Sequence, residues 1–191
     1  MSGRVQAICS ISTANALSAS RVPATPSPVI ATELAPSCGW RVGYEWVHSR
    51  VDDHSRYAYS ELHRDERAAT VAGFLERGLA AFAARGIEAK RLMSDNAWTY
   101  THNRALAELL ARHGVRHLLI PPRRPQVNGK VERYQQTLKR EWALGQVYRS
   151  SDHRAQALSH WLSYYNQRRP HSSLGGQSSI SRVHNASRQD S

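Results

Sequence analysis

An α/β fold is what this sequence predicts, and three observations carry the prediction. Short strand-like runs alternate along the chain with amphipathic stretches at helical period. Glycine or proline follows several of those stretches, where an element should stop. The chain has 191 residues, 40% of them hydrophobic, enough to bury a real core.

Residues 1–38 stand apart. They are rich in Ser, Ala, Thr and Pro (Pro23, Pro26, Pro28, Pro36), contain no Asp and show no sustained period. The expectation is a disordered or non-homologous N-terminal segment. A core over 39–150 and a C-terminal helix with a basic tail over 151–191 complete the expected organisation.

From Gly39 the texture changes. Tyr44 to Val51 and Tyr57 to Leu62 read as an antiparallel hairpin joined by the polar turn Asp52-Asp53-His54-Ser55-Arg56. Residues 67–85 form a helix with Val71, Phe74, Leu75, Leu79 and Phe82 on one face and Gly86 as its C-cap. Lys90 to Ser94 is a short strand. A second helix spans about His102 to His113 and ends at Gly114. Val115 to Ile120 is a strand closed by Pro121-Pro122, and residues 123–128 are a basic loop.

A long helix then runs from about Gly129 to Leu144. Val131, Tyr134, Leu138 and Trp142 share its core arc, while Glu132, Gln136 and Lys139 share another, beside Arg133 and Arg140. The last helix, about 152–166, buries Leu158, Trp161, Leu162 and Tyr165 before Pro170 ends it.

Charge points to a polyanionic partner. Twenty-six Lys and Arg against 15 Asp and Glu give 26 − 15 = +11. The excess is concentrated between Arg123 and Arg149, where Arg123, Arg124, Lys130, Arg133, Lys139, Arg140 and Arg149 face only Glu132 and Glu141. Arg123, Arg124, Asn128, Lys130, Arg133, Lys139 and Arg140 are the candidate DNA-contacting set, through phosphate rather than base edges. Cys9 and Cys38 are too few for a disulfide framework and lack zinc spacing. No apolar run approaches the ~18 residues of a membrane span, and polar residues interrupt any signal-like core near the start. A cytoplasmic, nucleoid-associated protein with no membrane partner is expected.

Two carboxylates sit in polar and basic surroundings. Asp95 lies in Ser94-Asp95-Asn96, and Glu132 in Asn128-Gly129-Lys130-Val131-Glu132-Arg133-Tyr134. Mg²⁺ takes hard oxygen ligands, usually one or two protein carboxylates completed by phosphate and water, so the pair suits metal-assisted phosphate chemistry. Fifteen acids give many pairs at such a spacing; the flanking words carry the assignment.

Those words resemble a known family. Val51-Asp52-Asp53-His54-Ser55-Arg56, then Ser94-Asp95-Asn96 with Tyr100, then Pro125 and Asn128 through Arg133 with Thr137-Leu138-Lys139-Arg140-Glu141, and finally Tyr165-Asn166-Gln167-Arg168-Arg169-Pro170-His171 with Leu174-Gly175-Gly176 follow one another in order. The chain resembles the integrase catalytic core of bacterial insertion-sequence transposases, in the retroviral-integrase, RNase H-like superfamily. That resemblance implies an RNase H-like mixed sheet flanked by helices. It also implies a three-acid (Asp, Asp, Glu) site holding two Mg²⁺ or Mn²⁺ ions for DNA strand cleavage and strand transfer. Asp95 matches the second acid and Glu132 the third. The implied partners are element-end and target DNA, and a second copy or a full-length transposase.

The first acid has no counterpart. In the family it lies on the first core strand, upstream of the hairpin, yet before Asp52 the only acids are Glu33 and Glu45. Asp52 and Asp53 read as turn residues rather than substitutes. Trp98, just after Asp95, is open to either a packing or a DNA-end role. The expectation is a truncated or frame-disrupted member, its first core strand missing or replaced. Three readings follow: an impaired transposase, a DNA-binding remnant without catalysis, or a poorly folding product with a gap in its sheet.

Overall fold

The structure, a computed structural model, describes residues 7–11, 22–23, 44–121 and 128–183. In chain order the elements are β1 (Ala7–Ile11), β2 (Val22–Pro23), β3 (Tyr44–Asp52), β4 (Ala58–His63), α1 (Ala68–Ala83), β5 (Ala89–Ser94), α2 (Trp98–Thr101), α3 (Arg104–Arg112), β6 (Arg116–Leu119), α4 (Gly129–Leu138) and α5 (Ser151–Gln167). Six strands form a mixed sheet in the order β2-β3-β1-β5-β6, with β4 pairing β3.

Side-chain alternation along β3 divides the molecule into two cores. Val47 and Val51 pack with Val131, Tyr134, Leu138 and Trp142 of the α4 segment and with Leu158 and Tyr165 of α5. His48 and Arg50 turn to the other face, where the His48 ring lies 5.5 Å from Phe74 and the Arg50 guanidinium 4.4 Å from the Phe82 ring. Leu92 of β5 joins that second core with Val71, Leu75 and Phe82 of α1 and Leu106 and Leu109 of α3. Helix α1 meets β3 at Gly78, where a Cβ would stand 2.7 Å from Arg50 Cδ. Only glycine lets the two approach so closely.

The hairpin turn forms as the sequence implies. Asp52 Oδ2 accepts from the Ser55 amide at 2.7 Å and from its hydroxyl at 2.5 Å, an Asx turn closed by Arg56 at φ 64°. The second expected helix forms as α3, and it starts at Arg104 because Asn103 caps it; the short α2 precedes it. The Asn103 side chain accepts from Leu106 N at 3.0 Å and donates to Ala68 O at 2.8 Å. The long helix ends in a π-helical turn over Lys139–Ala143, where Leu144 N donates to Lys139 O at 2.9 Å. Trp142 stays buried there, its indole N–H reaching Arg154 O at 3.3 Å.

The N-terminal segment differs most from expectation. Ala7–Ile11 is a strand at the centre of the sheet, antiparallel to β3 and parallel to β5, and Val22–Pro23 pairs with the start of β3. Residues 1–38 lack hydrophobic period, which is why their composition predicts a disordered or non-homologous segment. A central strand gains its ladder from both neighbours, however, and five residues suffice to bridge β3 and β5. The sheet therefore has no gap there. Glu33, Cys38 and the loop cations Arg123 and Arg124 lie outside the described residues.

Candidate functional site

Asp95 is placed by the end of β5. Ile120 N donates to Ser94 O at 3.0 Å, and the Asn96 side chain donates to Ile120 O at 3.0 Å, so the residues after β6 hold the loop on both sides of the carboxylate. Asp95 Oδ1 accepts from Ala97 N at 3.1 Å. The Ser94 hydroxyl meets His117 Nε2 at 2.8 Å, and burial pushes the His117 pKa below its usual value. Leu92 belongs to the α1 face; continuing the alternation puts Met93 and Asp95 on the opposite face, the one α4 covers.

Glu132 stands exposed in the first turn of α4. Val131, Tyr134 and Leu138 bury that helix against β3, and the Tyr134 hydroxyl meets Ser60 Oγ of β4 at 2.6 Å. Burial drives the Tyr134 phenol pKa far above its ordinary range, so it serves only as a neutral hydrogen-bonding anchor. Tyr134 packs on the α5 side, against Trp161 and Tyr165, and the helical period puts Glu132 and Lys139 on the opposite flank.

Ser10 of β1 stands in register with Val51 and Met93. Nothing acidic occurs in Ala7-Ile8-Cys9-Ser10-Ile11. Asp52 does not replace the missing acid. Its register partner Cys9 pairs with Leu92, three residues short of Asp95. That offset and two strand spacings separate the two Asp Cα atoms by roughly 14 Å, on opposite faces. Among the described residues, no three His, Cys, Asp or Glu side chains gather as a metal site.

The cations divide between two flanks of α4. Lys139 lies on the Glu132 flank. Arg133, Arg140 and Lys130 line an open groove of about 470 Å³ with Arg56, Arg169, His171, Ser172 and Ser173. Lys130 Nζ pairs with the Asp53 carboxylate, and Arg140 lies 3.7 Å from Glu141. Asn128, expected to contact DNA, is buried at the head of α4. Arg169 donates to both Glu141 oxygens, at 2.9 and 3.2 Å. Burial pushes the Glu141 carboxyl up, but the Arg169 guanidinium outweighs it and holds the pKa below normal.

Arg56, Arg169 and His171 stand in motifs of the sequence that carried no site role, and Ser172 and Ser173 stand in none. Their separation along the chain hid the groove they share. Trp98 is 72% exposed with its ring stacked 3.5 Å from that of His102.

Two profiles described as "Integrase core domain" match residues 32–125 and 113–178, together spanning most of the chain. The chain belongs to the integrase core family. A curated relative, the "Insertion element IS476 uncharacterized 39.2 kDa protein" of Xanthomonas euvesicatoria, is 30% identical over 86 residues, 45% of this chain. The match spans only a quarter of that relative's length (25%). Among solved structures, the catalytic core domain of BIV integrase superposes with a TM-score of 0.65 at 18% identity, covering 97% of this chain and 98% of that one. A chain of the simian T-cell lymphotropic virus intasome, in complex with PP2A regulatory subunit B56 gamma, gives 0.64 at 17% identity over 95% and 56% of the two chains. The HTLV-2 integrase catalytic core domain, solved with magnesium in a trimeric form, gives 0.60 at 14% identity over 94% and 97%. At these identities the likeness is one of fold, and the RNase H-like integrase core is the fold observed here.

Proposed function

We propose that this integrase core binds DNA through its basic surfaces while strand cleavage and transfer, the chemistry its family resemblance implies, is disabled. One observation carries the reading. The strand occupying the central position between β3 and β5 is Ala-Ile-Cys-Ser-Ile, without a carboxylate beside Asp95.

The donor set does not fit a two-ion site. Asp95 and Glu132 would hold at most one Mg²⁺ or Mn²⁺, with water and phosphate completing its shell. A pair of ions clamping both the attacking and the leaving oxygen needs more anionic donors than two side chains supply. Loss of that charge stabilisation lowers the rate by about three orders of magnitude or more. What remains is the positive surface, with a net charge of +11. Its partners in this reading are DNA in the cytoplasm and a second copy or a complete transposase, whose ends or subunits it would occupy without turnover.

The experiment is incubation of the full chain with supercoiled plasmid in Mg²⁺ and in Mn²⁺, alongside a mobility-shift assay over a salt series. The expected result is a shift that weakens steeply with salt, with no nicking above that of Asp95→Ala. Nicking that Asp95→Ala abolishes would overturn the disabled-enzyme reading, and absence of any shift would overturn DNA binding.

A further inference from the structure

The groove on the α5 side of α4 is separate from the two acids and chemically unlike them. Five cations line it, Arg56, Lys130, Arg133, Arg140 and Arg169, and no acid does. Asp53 and Glu141 border it through their ion pairs with Lys130 and Arg169, leaving 5 − 2 = +3. Among the described residues the Arg133 side chain has no hydrogen-bond or ion-pair partner.

The far wall is rigid. His171 is buried, its Nε2 3.2 Å from Ser179 Oγ, with its ring edge-on to Tyr165 at 4.8 Å. Burial holds its pKa below the usual value, so it is a neutral support rather than a sixth cation. Gly176 N closes the turn on His171 O at 2.9 Å. Gly175 and Gly176 make this possible at φ 64° and 81°, values side chains rarely tolerate. Ser172 and Ser173 are thereby presented at the groove's edge, exposed.

Several guanidinium groups flanked by hydroxyls suit oxyanions spaced along a strand. Arg133 and Arg140, seven residues apart, are set roughly 10 Å apart along the helix axis. We propose that this groove is a second DNA contact, seating the phosphodiester backbone of a duplex on the flank of α4 away from Asp95 and Glu132. It rests on the reading of this chain as a DNA-binding protein and adds a place where the DNA lies.

The test is fluorescence anisotropy of a labelled 20-base-pair duplex with the full chain, without divalent metal, across a salt series. Arg133→Gln/Arg140→Gln should weaken binding about tenfold and lower the log–log salt slope by about 2, one unit per lost phosphate contact. Arg85→Gln/Arg116→Gln removes equal charge from exposed positions elsewhere and should change the slope far less. Arg133→Lys/Arg140→Lys should retain most of the slope. Equal melting temperatures establish that the variants are folded.

Tight wild-type binding with an unchanged slope in the glutamine variant would overturn the groove and leave DNA binding intact. No binding by wild type would overturn both. Preference for a poly-glutamate peptide over a duplex of equal charge would assign the groove to an acidic protein instead.

Discussion

Asn166 closes the free edge of the sheet, and removing its amide should cost more stability than any other single hydrogen-bonding change in the described structure. β4 pairs with β3 on one side only. At its first residue, Ala58, both backbone groups turn outward, as one of the two alternating pair types in an antiparallel ladder requires. The Asn166 side chain meets both: Oδ1 accepts from Ala58 N at 2.8 Å, and Nδ2 donates to Ala58 O at 2.8 Å. Ala58 is 2% exposed, so water does not substitute readily. Each buried backbone group left unpaired costs ~1–3 kcal/mol, and Asn166→Ala orphans two. The expected loss is about 3 kcal/mol, or roughly 6–12 °C in melting temperature for a chain of this size. Urea and thermal unfolding measure it, with the neighbouring exposed Gln167→Ala as control, expected to change stability by less than ~0.5 kcal/mol. A loss below about 1 kcal/mol for Asn166→Ala would refute the claim that this amide serves as the missing strand.

Three further outcomes are expected. Ser10→Asp adds an acid to β1 at a position roughly 8 Å in Cα terms from Asp95. It should raise Mn²⁺-dependent plasmid nicking at least about tenfold, with Asp95→Ala erasing the gain; silence would show that more than one acid is missing. His48 is buried and its pKa lies at about 4, lowered mainly by burial and then by neighbouring His63. The unfolded chain therefore binds a proton first as pH falls from 6.5 toward 4, so stability is full above that window and drops through it by up to about 3 kcal/mol. His48→Gln should flatten that part of the urea-midpoint profile. Gln135 is buried with both amide atoms unpartnered; Gln135→Leu should raise stability by about 1 kcal/mol in urea unfolding, and a loss would show that the amide has a role the fold alone does not reveal.

A further acid-range effect lies in the β4 edge network. Burial pushes the Glu61 carboxyl up, but hydrogen bonds from Arg77, His63 and Tyr59 prevail and hold it at about 2. Its contribution is present above pH 4.5 and is lost as pH falls from there toward 2.

The sequence by itself determined the α/β class, the hairpin, the helices and the local settings of Asp95 and Glu132. Each depends on nearest neighbours: hydrophobic period, Gly86 closing a helix, a polar turn over Asp52–Arg56. Tertiary structure alone decided what distant segments do together. A strand's place in a sheet is set by ladders on both sides, so Ala7–Ile11 gave no periodic signal yet lies at the centre. The pairing of Asn166 with Ala58 spans 108 positions, beyond any local pattern. The basic groove likewise needs the hairpin turn, α4 and the Pro170–Ser173 turn brought together, because charge adds in space while a motif is read along the chain.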